Sequence, residues 1–372
     1  MKQESRHTEC FHSPLWGTVI LLMTVLSVVC LSSCDGMIYD YEGDCDPHWR
    51  VRFEYDYNMK FADAFPGPMG VGSVQLYVFD AVTGRLVLDK ADVSGAEGFS
   101  KDYVMPIEEL APGRYRFVAW CGLESNNSFT GGVAPQVYEP EATAWSLSEQ
   151  ALGGNDREER RLGSLYYGDA GEVEITAEEG THTITVPLMK DVNDFTVILQ
   201  HRSQPLDPED FEITITDDNS TLLWNNSIAA ETDPVEYKAW EVRQGTAEET
   251  IKELGIPTVE NNVLVSFLTT SRLVGGRQVE PRLTVTRKST GRVVFDFPLL
   301  PYLLMGYHQA PLDAHNNPYR MEDQEYLDRE DTWGMHFILD DELSGRGGWH
   351  AFELHLLDWH VVLSDEVLGE YN

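Results

Sequence analysis

The stretch VGSVQLYVFDAVTGRLVLDK, residues 71–90, decides the fold class of this chain. Apolar residues occupy alternate positions on both sides of a Thr-Gly pair at residues 83–84. Alternation with a period of two is typical of a half-buried strand, and a short turn between two such runs is typical of an antiparallel hairpin. The stretch therefore predicts a β-hairpin, with Val74, Leu76 and Val78 on one face before the turn and Leu86 and Leu88 after it.

The same alternation continues along the chain, and helical periodicity is scarce. Strand-like runs recur about every ten residues, among them HWRVRFEYDY (48–57), EVEITAEEGTHTITVPLMK (172–190), DFTVILQHR (194–202) and HAFELHLLDWHVV (350–362). Residues 322–333 and 242–254 favour short helices, and the polar, Gly-rich residues 124–160 favour a long surface loop. This pattern predicts an all-β protein built from antiparallel sandwiches.

The N-terminus has the features of a lipoprotein signal peptide. Residues 15–31 carry no charge, a run too short for an ordinary membrane span and long enough for a secretory apolar region. Small residues then precede Cys34 in the order Leu-Ser-Ser-Cys, which predicts cleavage after residue 33 and lipidation of Cys34. An ordinary signal peptide cut nearby and a retained N-terminal membrane anchor are the alternatives.

The net charge and the length of the chain after the signal peptide limit its partners and predict its number of domains. Its formal net charge is −35 and its pI is near 4.5, which argues against nucleic acid or anionic lipid as partners. Residues 34–47 form an acidic tether, and the remaining length predicts two domains. We place the domain boundary at the charged Lys190-Asp191 step, which gives β-sandwich domains at 48–190 and 191–372.

The cysteines divide into three groups. Cys10 and Cys30 leave with the signal peptide, and Cys34 is the lipid acceptor. Cys45 and Cys121 remain, and an even pair in an exported protein predicts a disulfide. Two free buried thiols are the alternative.

No catalytic, cofactor or metal motif emerges from the sequence. Walker, HExxH, GxSxG and GxGxxG patterns do not occur, so we expect no enzyme and no cofactor. The acidic tether fails as an EF-hand, because the twelfth position counted from Asp40 is Val51. His350, His355 and His360 follow one another at five-residue steps, which alternate faces on a strand, so we expect no zinc site there.

The chain resembles the FimB-like fimbrial anchor lipoproteins. The resemblance runs in order through YEGDCDPHWRVRFEYDYNMKFADAF (41–65), LAPGRYRFVAWCGL (110–123), LYYGD (165–169), PLMKDVNDFTVIL (187–199) and LHLLDWHVV (354–362). It implies two tandem transthyretin-like antiparallel β-sandwich domains and a place at the base of a type V fimbria. There the protein would hold a shaft subunit on the cell outer membrane through its lipid and limit fibre length.

The resemblance also implies a role for the first strand. Shaft subunits of such systems lose their first strand by cleavage after a basic residue and receive a neighbour's segment instead, a form of strand addition. An anchor keeps this strand, which here contains Arg50 and Arg52.

The C-terminal segment 359–372 is a possible donor to the first shaft subunit, through Val361, Leu363, Val367 and Leu368. The alternative is that residues 359–363 are simply the last core strand.

Two other functions fit a lipidated β-sandwich protein. One is a carbohydrate-binding surface lipoprotein of a glycan-uptake system, which should present coplanar exposed aromatic side chains. The other is a tip or accessory fimbrial adhesin, which would share the fold and differ only in its position in the fibre.

Overall fold

The computed structural model of the 372-residue chain describes residues 47–59, 63–65, 71–123, 127–153, 160–230, 232, 234–246, 260–305, 321–340, 350–356 and 359–362. These residues are mostly β-strand, so the all-β prediction is confirmed. All contacts below lie within one compact unit, Trp49–Thr176 with His182–Asn372. The turn Ala177–Thr181 groups instead with residues 1–48.

Seven of the strands that precede residue 191 form one sheet in the order β3-β2-β5-β8-β9-β1-β4. Their bounds are β1 (Pro47–Tyr57), β2 (Ser73–Asp80), β3 (Leu86–Val93), β4 (Val104–Pro106), β5 (Gly113–Cys121), β8 (Tyr166–Ile175) and β9 (Gly180–Lys190). The opening hairpin prediction is confirmed, since β2 and β3 pair antiparallel. Gly84 closes their turn at φ +70, a conformation that favours glycine. Strands from both ends of the order contribute to one apolar core, so the sheet curls around it.

Two further sheets face each other in the second half of the chain. A six-stranded sheet has the order β14-β15-β10-β18-β19-β20, and a four-stranded sheet has the order β13-β11-β16-β17. The first contains β10 (Val192–His201), β14 (Glu241–Gly245), β15 (Val263–Ser271), β18 (Thr332–Asp340), β19 (His350–Leu356) and β20 (Trp359–Val362). The second contains β11 (Phe211–Asp217), β13 (Val235–Lys238), β16 (Arg282–Arg287) and β17 (Arg292–Pro298). Phe337 and Phe295 stack between them at 4.3 Å, which makes this pair of sheets a sandwich.

A small third sheet corrects the prediction for residues 124–160. It joins β6 (Phe129–Gly131), β7 (Thr143–Leu147) and β12 (Thr221–Leu223) in the order β12-β7-β6. The surface-loop prediction is therefore wrong for β6 and β7, whose Phe129 and Leu147 are buried. The sequence did not reveal these strands because the partner β12 lies about seventy residues further along the chain.

Helices are few and short among the described residues. They are α1 (Glu149–Gly153), α2 (Leu300–Leu303), α3 (Asp323–Arg329) and a 3-10 turn at Pro208–Asp210. α3 confirms the helix predicted within 322–333. The helix predicted at 242–254 is wrong for residues 242–245, which pair as β14 with β15, and residues 247–254 lie outside the described part.

The Lys190-Asp191 step is buried. Asp191 alone separates β9 from β10 and has no exposed surface. Asn226 Nδ2 donates a hydrogen bond of 2.8 Å to Asp191 Oδ1, and burial raises the pKa of this carboxyl to about 7 although Arg272 opposes the shift. The boundary between residues 190 and 191 stays a prediction.

The face of β2 that points away from the first core packs on Trp224, and the Tyr77 ring meets the Trp224 ring edge-on at 4.9 Å.

Candidate anchor strand and sheet edge

The first described strand, β1, lies inside its sheet rather than at an edge. It stands between β9 and β4, and its register with β4 pairs Val51 with Met105. Val51, Phe53 and Tyr55 are at most 9% exposed, while the residues between them face outward. Burying each such apolar side chain contributes about 1.5–3 kcal/mol. The alternation in HWRVRFEYDY thus makes β1 a core strand of the fold.

The two basic residues of β1 sit on its outer face. Arg50 Nε donates a hydrogen bond of 2.9 Å to Thr183 Oγ1 of the neighbouring strand β9. Arg52 is exposed and pairs with Glu54 at 3.4 Å. Both peptide bonds that follow these arginines lie within the strand, so a protease needs the strand to open before it can cut.

A buried ion pair ties the end of β9 to Asp331, the residue before β18, and Tyr55 of β1 joins it by a hydrogen bond. Lys190 Nζ lies 3.0 Å from Asp331 Oδ2 and 2.8 Å from Asp194 Oδ2, and its side chain is 9% exposed. Tyr55 OH donates a hydrogen bond of 3.3 Å to the same Asp331 oxygen. Burial acts to lower the pKa of Lys190, but the two carboxylates outweigh it and raise that pKa above its ordinary value.

Arg329 makes the second set of contacts with the same end of β1. Its Nη1 donates to the backbone oxygen of Asp56 at 3.1 Å, and its guanidinium lies 4.6 Å from the centre of the Tyr57 ring. Met59 N donates to the Arg329 backbone oxygen at 3.1 Å. We refer to Tyr55, Lys190, Arg329 and Asp331 together as the strand clamp. Sequence reasoning missed the clamp because Tyr55 and Asp331 are 276 residues apart, Arg329 and Asp56 are 273 residues apart, and no local pattern marks them.

Of the cysteines predicted to carry the lipid or form the disulfide, the structure describes Cys121. Cys34 and Cys45 lie outside the described residues, so lipidation and the Cys45–Cys121 bridge stay predictions. Cys121 is a free thiol with no exposed surface, on β5 in the core of the first sheet. Burial raises its pKa far above the ordinary thiol value. Within the described ranges, no helix is both long and apolar enough to cross a bilayer.

The C-terminal end of the described chain forms a sheet edge. β20 pairs with β19 and is the last strand of the six-stranded sheet, with Val361 opposite Leu354. Val361 is therefore paired within its own sheet. This pairing agrees with the alternative reading, in which residues 359–363 belong to the last core strand. Leu363, Val367 and Leu368 lie outside the described residues, so their donor role stays a prediction.

The strand register corrects the sequence reasoning about the histidines. Alternation of faces holds for one continuous strand, but the chain reverses between Leu356 and Trp359. His355 and His360 consequently stand directly opposite each other on β19 and β20. His355 also stands opposite His336 of β18.

The aromatic side chains whose positions are described are mostly internal. Trp120, Trp224 and Trp333 are at most 2% exposed, and Trp49 stacks on His182 at 4.6 Å. Among the described side chains, the large hydrophobic residues with high exposure are valines and one methionine. The coplanar exposed aromatic pair expected of a glycan binder is not found in this part of the chain.

A family model matches most of the chain, and individual relatives match it over three quarters or more of their length. The family model described as fimbrillin-A associated anchor proteins Mfa1 and Mfa2 matches residues 41–365. The minor fimbrium anchoring subunit Mfa2 of Porphyromonas gingivalis is 23% identical over 279 residues, which make up 74% of this chain and 76% of that protein.

Two solved structures from Bacteroides thetaiotaomicron have the same fold. One, a proposed adhesin, is 31% identical with a TM-score of 0.70 and covers 86% of this chain and 99% of its own. The other, a proposed polysaccharide-binding protein, is 27% identical with a TM-score of 0.63 and covers 87% of this chain and all of its own.

Proposed function

Because the chain belongs to the family of fimbrillin-A associated anchor proteins Mfa1 and Mfa2, we propose that it holds a fimbria on the cell outer membrane by a lipid on Cys34 and a permanently retained first strand. The observation that supports this most is the position of β1, which is buried inside its sheet and fixed at its end by the strand clamp. The role is structural and needs no catalytic group or cofactor.

The lipid and β1 are close neighbours in sequence. Residues 34–46 connect them, and this tether spans at most about 45 Å when fully extended. A pull on the fibre therefore reaches the membrane through β1. Because β1 pairs with β4 at residues 50–52, neighbours β9 on its other side and is held by the clamp at its far end, the load is shared among backbone bonds and the clamp side chains.

Retention of β1 also gives a physical reason for limiting fibre length. Without β1, its neighbours β9 and β4 would lose backbone partners and the core around Phe53 would open to water. A shaft subunit in that state accepts a donated strand. A base subunit whose own β1 stays in place offers no such groove, so growth of the fibre ends at this protein.

We propose that the shaft subunit is bound at the opposite end of the chain. Among the described strands, β20 has a neighbour on one side only, so its second edge carries backbone groups that can pair with an incoming strand. The residues after Val362 can extend this contact. The same contact would serve an accessory or tip subunit, and retention of the lipidated strand is what distinguishes the base.

Mass spectrometry of the protein from isolated outer membranes tests the proposal. We expect an N-terminal peptide that begins with lipid-modified Cys34 and continues without a break through Arg50 and Arg52. A mature N-terminus at Val51 or Phe53, without lipid, would refute the anchor role and indicate a polymerising subunit. A Cys34→Ala variant is the control, and it should leave the fimbriae in the medium instead of on the cells.

Glycan binding is a second candidate, favoured by one cleft in the first half of the chain. The cleft encloses about 230 Å³ and is lined by Gln75, Tyr77, Asp89, Asp92 and Trp145, among others. Amide and carboxylate groups beside an indole ring are the chemistry that holds sugar hydroxyls and a sugar face. Binding on a glycan array that is lost in Asp92→Asn and Trp145→Ala would support it. An array without a hit for the wild-type protein would remove it.

A further inference from the structure

The strand β3 leaves one edge of the seven-stranded sheet open. β3 stands last in the sheet order, and β2 is its one neighbour among the described strands. Ser94 N donates a hydrogen bond of 2.8 Å to Gly72 O, and bonded pairs alternate with non-bonded pairs along an antiparallel ladder. Every second residue before Ser94 therefore points its backbone N–H and C=O toward β2. The residues between them point these groups toward the open edge, and they are Asp89, Ala91 and Val93.

The same edge already accepts a backbone partner at its other end. Leu86 N donates a hydrogen bond of 3.0 Å to Gln136 O, and Tyr138 N donates one of 2.7 Å to Gly84 O. Beyond this contact, residues 87–93 have no second strand beside them in the described part of the chain. Seven residues of extended strand span about 23 Å, which is enough to pair with a partner segment of similar length.

The charged side chains of β3 do not guard this edge. Edge strands are commonly protected by charged side chains that repel an incoming strand. Here Asp89 accepts a hydrogen bond from Gln75 of β2, and Lys90 Nζ lies 2.7 Å from Glu109 Oε1. Val93, whose backbone faces the open edge, is instead an apolar side chain with 55% of its surface exposed. The edge is therefore open to an extended backbone.

The cleft described above lies on the face of β2 and β3 beside this edge. Asp89 and Ala91 of β3 line it together with Trp145 of β7. Its described lining includes two carboxylates, Asp89 and Asp92, and no lysine or arginine. Carboxylates beside an indole ring suit an ammonium or guanidinium group. A residue of an added strand that stands opposite Asp89 shares its face, so its side chain reaches the cleft.

We propose that the open edge of β3 binds an extended segment of a partner protein by strand addition, with a lysine or arginine of that segment in the cleft beside Asp89. Charge complementarity favours this partner over a second copy of the chain, whose net charge is −35. The surface is separate from β20, and the inference does not depend on the fimbrial role. It shares its cleft with the glycan candidate, but a sugar needs no backbone N–H from Ala91.

Fluorescence polarisation with the full-length chain, purified in detergent from membranes, tests the proposal. The probes are two labelled nonapeptides of alternating threonine and valine, one with a central lysine and one with a central glutamate. We expect saturable binding of the lysine probe and about tenfold weaker binding of the glutamate probe. Asp89→Asn should weaken binding of the lysine probe about two- to fivefold, the scale of one cross-strand charge pair.

Ala91→Pro and Ala91→Thr form a matched pair of variants. Proline removes the N–H of residue 91 that faces the open edge and keeps the pairing with β2, since edge strands tolerate proline where the N–H faces solvent. Ala91→Pro should weaken binding of the lysine probe at least about tenfold, and Ala91→Thr should leave it unchanged. Near-ultraviolet circular dichroism checks the fold, and Asp89→Asn is the variant to rely on if Ala91→Pro folds poorly.

Several outcomes would overturn the proposal. Absence of saturable binding of the lysine probe, equal binding of the two probes, or wild-type affinity in Ala91→Pro would each do so. Dimers in analytical ultracentrifugation that disappear in Ala91→Pro would assign the edge to a second copy instead. A glycan bound equally by the wild type and by Ala91→Pro, with no peptide binding by the wild type, would assign the cleft to a sugar.

Discussion

Replacing Lys190 with methionine tests whether the strand clamp holds β1. Methionine keeps most of the aliphatic volume and removes the charge that Asp331 and Asp194 share. Asp331 would then be an almost buried carboxylate, 14% exposed, without its cation. We expect lower stability and faster opening of β1, because a mostly buried carboxylate that loses its cation is costly even where hydrogen bonds to it remain.

The magnitude follows from the geometry. Unit charges 3.0 Å apart attract by about 5–6 kcal/mol at an effective dielectric constant of about 20. Desolvation of the ammonium offsets part of this attraction, and breaking one side of a buried pair costs about 3–5 kcal/mol in practice. Asp194 is 44% exposed and can be rehydrated, so we expect about 3 kcal/mol, the lower end of that range.

The assay combines urea unfolding with limited trypsin digestion. Lys190→Met should unfold at lower urea and release peptides cut after Arg50 and Arg52 much sooner than the wild type. Lys238→Met is the matched control, since Lys238 also pairs with two carboxylates, at 3.1 and 3.3 Å, but is 43% exposed. Its loss should cost no more than about 1 kcal/mol.

Equal effects of the two substitutions would refute the reasoning. A loss below about 1 kcal/mol in Lys190→Met would mean that water screens the Lys190 pair as it screens a surface pair. A stability loss of the expected size without faster cleavage at Arg50 and Arg52 would mean that the clamp stabilises the fold without guarding β1.

Three further outcomes are expected. Phe53→Ala should destabilise the protein by about 3–5 kcal/mol in urea unfolding, since it leaves a cavity beside β1, whereas the outward-facing Glu54→Ala should change little. The raised pKa of Asp191, about 7 against an ordinary 3.8, means that the folded protein binds the extra proton, so this group lowers stability as the pH rises from about 4 to 7. Asp191→Asn should flatten that part of a thermal-melting profile against pH, and an unchanged slope would contradict the assignment. A Cys45–Cys121 bridge predicts a linked peptide in non-reducing mass spectrometry, and alkylation of both thiols after denaturation without reductant would exclude it.

Residues 124–160 and 242–254 show where local pattern fails. The first segment is polar and Gly-rich, yet β7 pairs with the distant strand β12, supported by a hydrogen bond of 3.0 Å between Ser146 Oγ and Thr221 Oγ1, and β6 pairs with β7. In the second, helix-forming composition gives way at Val242–Gly245 to pairing with β15. In both cases backbone pairing with a distant strand outweighs local preference, which is worth only tenths of a kcal/mol per residue.

The sequence by itself determined the parts that depend on neighbouring residues. Period-two alternation and a Thr-Gly turn were enough for the β2–β3 hairpin, for the burial of Val51 and Phe53, and for the all-β class, because side chains alternate between the two faces of a strand. The charge-free run before Cys34 likewise needs no partner to be recognised.

Tertiary structure alone decided which distant groups meet. Lys190 and Asp331, and Tyr55 and Asp331, are brought together by sheet order and packing, which no local spacing encodes. The physical reason is that a side chain's nearest neighbours across a sheet are set by hydrogen bonds between strands, and these join residues regardless of their separation along the chain.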